Sequence, residues 1–236
     1  MKPITILVRA TIFVPQFIGY SADNKEKLKD LLPGAQILAA GFVPPMANPN
    51  FPLFAIPDGI PWQMVRDDFS IQFFPNKIDI VQNKILLKED EEDFFKNNAI
   101  DVFEKIMKIY DIKTAKRLAY APIYAIDNSE DFSVEEYLNK LVNISSFMEK
   151  SPQEIVLNIN YKIEYKGFHM NFLSKISEGT KSMTKDSNVI SKCVVIDLDL
   201  NTIAEEVKDF NIDNIKLFFD TIGNTKKDYI QHLLKM

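Results

Sequence analysis

Residues 193–200, "CVVIDLDL", set Asp197 and Asp199 two positions apart in an otherwise apolar run. On a strand, side chains alternate between faces. Both carboxylates then project from one side with Val195, and Val194, Ile196, Leu198 and Leu200 project from the other. Paired carboxylates are hard oxygen ligands that suit a divalent cation, the equipment of a metal-dependent hydrolase or nuclease. Such a site normally recruits further acidic, histidine or asparagine ligands, and no companion motif stands beside the pair. The competing reading is a half-exposed strand whose aspartates face water, and it is the one favoured here.

Arginine occurs only at 9, 66 and 117, and Arg9 and Arg117 each interrupt an apolar stretch, "ITILVRATIFV" and "RLAYAPIYAID". A guanidinium in such a place needs a carboxylate or carbonyl partner, or it must face a groove. The functional reading is an anion or carboxylate site repeated in both halves; the competing one is a structural salt bridge, to Asp197 or Asp199.

His169 and His232 are the only histidines. His232 falls near the end of the last helical pattern, where a helix C-terminus favours a cation. Cys193 is the only cysteine, which excludes an internal disulfide, and it opens an apolar strand where an inert thiol is expected. No serine sits in a G-x-S-x-G elbow, and no phosphate-cradling glycine loop or H-E-x-x-H helix is present. No catalytic residue is assigned, and no cofactor is expected.

Residues 41–62, "GFVPPMANPNFPLFAIPDGIPW", hold six of the twelve prolines. Each removes a backbone donor and restrains its predecessor, so neither a long helix nor a central strand passes through. The segment carries Phe42, Phe51, Phe54 and Trp62, the sole tryptophan. Exposed, these aromatics would form a protein interface; folded back, they would join the core. They are the interface candidates.

The elements that must position these groups follow from pattern. Residues 4–14 read as a strand, and a helix opens at Ser21 or Asp23 and stops at Pro33-Gly34. "DFSIQFFPNKIDIVQN" predicts a hairpin about Pro75-Asn76. A long helix spans about Glu89 to Asp111, with the acidic run "KEDEED" read as solvated charge at its start. "RLAYAPIYAID" predicts a strand, and Ser133 with Glu136 marks a capping box. "EIVLNINYKIEYKGFHMNFLSKIS" predicts two strands turning at Lys166-Gly167, residues 193–200 a further strand, and Asn211 to Leu234 a final helix.

Each half thus reads strand, helix, hairpin, long helix. The expected fold is α+β: a mainly antiparallel sheet with the two long helices on one face, built from duplicated halves at 1–112 and 113–236 that share one core. The first half includes the loop 41–62.

In order and in patches, the chain resembles a sporadically distributed, largely uncharacterised family of prokaryotic proteins of about this length. The likeness lies in "FSIQFFPNKIDIVQN", "KRLAYAPIYAID", and "VIDLDL" followed by "NIDNIKLFFDTI". Arg117, Tyr120 and Tyr124 match the family's basic-aromatic strand, while the final helix lacks the histidine expected in its first turns. The resemblance brings no catalytic motif. The family's sporadic distribution implies a mobile defence or toxin–antitoxin setting.

The net charge of −5 argues against a general polyanion binder, and no apolar run is long enough to span a bilayer. Aromatic-basic mixing in "NYKIEYKGF" leaves a nucleic-acid-binding alternative, beside the metal-dependent hydrolase or nuclease. The expectation is a cytoplasmic protein-recognition module, an accessory or antitoxin-like neutralising subunit. Its partner is another protein subunit, homo-oligomers are allowed, nucleic acid is less favoured, and no membrane is involved.

Overall fold

A computed structural model describes residues 3–39, 60–87, 89–127, 133–142, 155–182, 190–206 and 208–235. In chain order the elements are β1 (Ile4–Phe13), α1 (Ala22–Leu28), β2 (Gln36–Ala39), β3 (Trp62–Arg66), β4 (Phe69–Phe74), β5 (Lys77–Leu87) and α2 (Glu89–Ile109). There follow β6 (Arg117–Asp127), α3 (Val134–Val142), β7 (Val156–Tyr165), β8 (Phe168–Ser182), β9 (Ile190–Thr202) and α4 (Ile212–Lys235). The strands form one sheet in the order β2-β3-β4-β5-β1-β6-β9-β8-β7. Every pairing in it is antiparallel.

Local chemistry explains the boundaries. Ser21 caps α1 by accepting from the Asn24 amide at 3.0 Å, and Ser133 accepts from the Glu136 amide at 3.3 Å. Asn211 accepts from the Asn214 amide at 2.9 Å, closing the start of α4. Lys166 and Gly167 both take positive φ, 48° and 78°, as a two-residue hairpin between right-twisted strands requires.

The expected fold needs correction. Among the described residues strand outweighs helix, 46% against 32%, and the strands form a single nine-stranded sheet accompanied by four helices. Duplicated halves with a pair of long helices on one face do not fit this arrangement: five strands precede residue 113 and four follow it. The physical reason lies beside the proline-rich run. Prolines hide the strand signals that flank them, and β2 and β3 sit on either side of it, pairing from Gln36–Val65 to Ala39–Trp62.

One sheet face carries the core. Val8, Ala10 and Ile12 of β1, Leu118 and Tyr120 of β6, and Val194, Ile196, Leu198 and Leu200 of β9 lie in a single buried cluster with Phe95, Phe103, Phe218 and Phe219 of α2 and α4. α2 packs on β1, β5 and α4, α4 on β6, and α3 on β8 and β9. The other face holds the alternate residues, among them Arg9, Ala121, Asp197 and Asp199. Among the described residues, no helix is long and apolar enough to cross a membrane.

Candidate functional site

The alternation in 193–200 is complete. Val194, Ile196, Leu198 and Leu200 are fully buried, while Asp197 is exposed and Asp199 half-buried on the opposite face. Strand register then sets their neighbours. Asp197 lies between Ile123 of β6 and Lys175 of β8, and Asp199 lies beside Leu173. Lys175 and Leu173 in turn face Asn158 and Asn160 of β7. These side chains line an open cleft of about 280 Å³ over β7, β8 and β9.

Arg9 stands on the same face, between Val81 and Ala121, and is exposed. Val81 and Ala121 are buried at 7% and 5% exposure, so the guanidinium rises from a closed, small-residue floor. Among the described residues its side chain makes no hydrogen bond or close ion pair. Its charge does reach Asp197. Partial burial pushes the Asp197 carboxyl above its ordinary 3.8, Arg9 opposes that rise, Asp199 adds to it, and Lys175 opposes it.

Arg117 is occupied differently. Its Nε donates to the Thr202 carbonyl at 3.0 Å and a terminal nitrogen to Asn201 Oδ1 at 2.6 Å, and it lies over the Phe13 ring at 5.2 Å. Asn201 Nδ2 donates onward to Asp199 Oδ1 at 3.0 Å. Arg117 is thus tied to Asp199 through an amide, and Arg9 to Asp197 through space.

Among the described residues no group of three or more His, Cys, Asp or Glu side chains is placed to hold a metal ion. Asp197 and Asp199 have cationic and amide neighbours where a metal site would place further oxygen donors. His169 pairs with Glu206 through Nδ1 and lies 3.5 Å from Glu164 through Nε2, beside the turn of the β7–β8 hairpin. Cys193 is buried.

Of the aromatic interface candidates, Phe42, Phe51 and Phe54 lie outside the described residues. Trp62 belongs to the core: it is fully buried, stacks on Phe73 at a centroid distance of 4.4 Å, and donates its indole N–H to the Ile18 carbonyl at 2.7 Å.

Sequence reasoning missed two clusters. Lys175, Asn158, Asn160 and Asn201 complete the polar face, and their signal was the polar alternation of β7 and β8 read together with that of β9. Glu92 was counted among the solvated charges of "KEDEED" but is buried at 5% exposure. It accepts from Thr5 Oγ1 at 3.1 Å and Tyr120 OH at 2.7 Å, and pairs with Lys226. Tyr124 OH is 3.3 Å from it. Burial holds the Tyr120 hydroxyl well above 10, so it stays a donor. This cluster is closed among packed helices and strands and joins them.

No protein-family model matches the chain, and neither a curated protein nor a solved structure does.

Proposed function

We propose that the protein is a recognition module that binds another protein through the sheet face bearing Arg9, Asp197, Asp199 and Lys175. The observation that carries this reading is the exposed Arg9 guanidinium on a floor of small buried residues, with no bonded partner of its own among the described residues. Arginine with open bidentate donors is the residue type that anchors carboxylates at protein interfaces. Asp197, Asp199 and Lys175 beside it supply charges of both signs, which select a partner surface of mixed charge and disfavour a uniform polyanion.

The pattern resemblance to a sporadically distributed prokaryotic family favours an accessory or neutralising subunit as the form this recognition takes. The test is capture of partners on tagged protein from its native lysate, with and without nuclease. One stoichiometric protein that survives nuclease, and is lost from an Arg9→Glu bait, supports the reading. Recovery that nuclease abolishes, or that Arg9→Glu leaves intact, contradicts it.

A further inference from the structure

Sheet edges are templates for pairing, and natural proteins blunt them by shortness, proline, bulges or lysine. Among the described residues, the two edges of this sheet, β2 and β7, differ. β2 has four residues, whereas β7 has ten. β7 contains no proline and keeps an unbroken register with β8 from Val156–Ser177 to Tyr165–Phe168. Lys162 is its only lysine. Its exposed side chains include the large apolar Val156, Tyr161 and Tyr165, at 43%, 49% and 39% exposure, beside the polar Asn158, Asn160, Lys162 and Glu164.

We propose that β7 is a homodimer edge, on which two copies of the chain pair antiparallel about a dyad at Tyr161. The inference goes beyond the recognition face, because it concerns the backbone edge of β7 and not the side chains of the polar face around Arg9. A dyad normal to the sheet keeps each face continuous across the junction, so residues pair only with residues of the same face. Centred on Tyr161, Ile159 meets Ile163 of the second copy and Leu157 meets Tyr165, all on the helix-bearing face. On the polar face, Asn160 meets Lys162 and Asn158 meets Glu164. On the helix-bearing face apolar meets apolar, and within the strand no like charges oppose.

Neighbouring registers are poorer. A dyad at Lys162 sets two lysines directly opposite, which is destabilising. One at Asn160 sets Val156 against Glu164. One at Ile163 runs into the Lys166-Gly167 turn. The residue pattern of β7 is therefore self-complementary about one position, a property that a strand evolved for a foreign partner does not need.

The experiment is sedimentation equilibrium over a wide range of protein concentration, on wild type and two variants at exposed Asn160. In the proposed register, Asn160→Lys creates two like-charge pairs with Lys162 and weakens the dimer on the order of tenfold. Asn160→Glu creates two opposite-charge pairs and tightens it by a similar factor. Tyr161→Cys adds a second readout. Directly opposed Cα atoms lie roughly 4.5–5.5 Å apart, within disulfide reach, so mild oxidation links two chains. Cys193 is buried and does not compete. A protein monomeric at every concentration, a dimer that both Asn160 variants weaken, or one that neither alters overturns the proposal.

Discussion

Glu92 and Lys226 are 134 residues apart in the chain and form an ion pair at 6% and 14% side-chain exposure. The contact ties the first turn of α2 to α4 over the central strands β1 and β6, whose Thr5, Tyr120 and Tyr124 surround the same carboxylate. Removing one partner of a buried pair strands the other, so Glu92→Ala costs about 3–5 kcal/mol of stability. The double change Glu92→Leu with Lys226→Met costs less than Glu92→Ala alone, because no charge is then left unpaired. Urea unfolding of the three chains checks the order; a double variant less stable than Glu92→Ala contradicts it.

Trp62 gives a spectroscopic check on the core. As the sole tryptophan, buried on Phe73, it should emit at short wavelength and resist acrylamide quenching. Trp62→Ala should lose about 3–5 kcal/mol, the usual range for emptying a large aromatic site. Trp62→Phe should lose about 1 kcal/mol with the hydrogen bond to the Ile18 carbonyl. Emission typical of water-exposed indole in the native chain would place Trp62 outside the core.

His169 and Glu206 make stability depend on pH. The hydrogen bond that His169 Nδ1–H donates to the Glu206 carboxylate raises the imidazole above its ordinary 6.5, and the same bond lowers the Glu206 carboxyl below its ordinary 4.5. The histidine contribution is present below 6.5 and fades as pH rises through the raised value. The carboxylate contribution is present above 4.5 and fades as pH falls through the lowered value. The pair therefore contributes fully between about pH 4.5 and 6.5. Thermal melts should show His169→Gln less stable than wild type at pH 5.5, with the gap narrowing by pH 8.5. A gap that widens with rising pH has the wrong sign for this pair.

Divalent ions offer a separate discrimination. Lys175 lies opposite Asp197 and Arg9 opposes its rise in pKa, so the carboxylates have cationic neighbours already. Magnesium, manganese or zinc should leave the melting temperature unchanged, since a ligand that binds the folded state must raise it. Asp197→Asn with Asp199→Asn should leave that indifference intact. Saturable stabilisation by any of these ions, lost in the double variant, would revive the metal reading.

Much of the local structure was legible in the sequence because it rests on short-range chemistry. Ser21 and Ser133 marked helix starts, Lys166-Gly167 marked a hairpin, and the alternation in 193–200 sorted Asp197 and Asp199 onto one face. The order of strands was not legible. That β1 lies beside β6, and β9 between β6 and β8, depends on which faces pack together over long separations. Glu92 misled for a related reason: an acidic run at a helix start has one position per turn aimed at the core, and composition cannot say which. The strands β2 and β3 were hidden by the prolines between them. Lys175 and Asn201 joined the polar face only once register was known.

The central claim is that the sheet face around Arg9, and not the helical layer, binds a protein partner. The most direct measurement is the affinity of the captured partner for wild type, Arg9→Glu and Lys105→Glu, the last an exposed charge on α2. The account predicts that Arg9→Glu loses about 2 kcal/mol or more of binding, as expected for an interface arginine, while Lys105→Glu binds as wild type does. Equal affinity for wild type and Arg9→Glu, or a loss confined to Lys105→Glu, contradicts it.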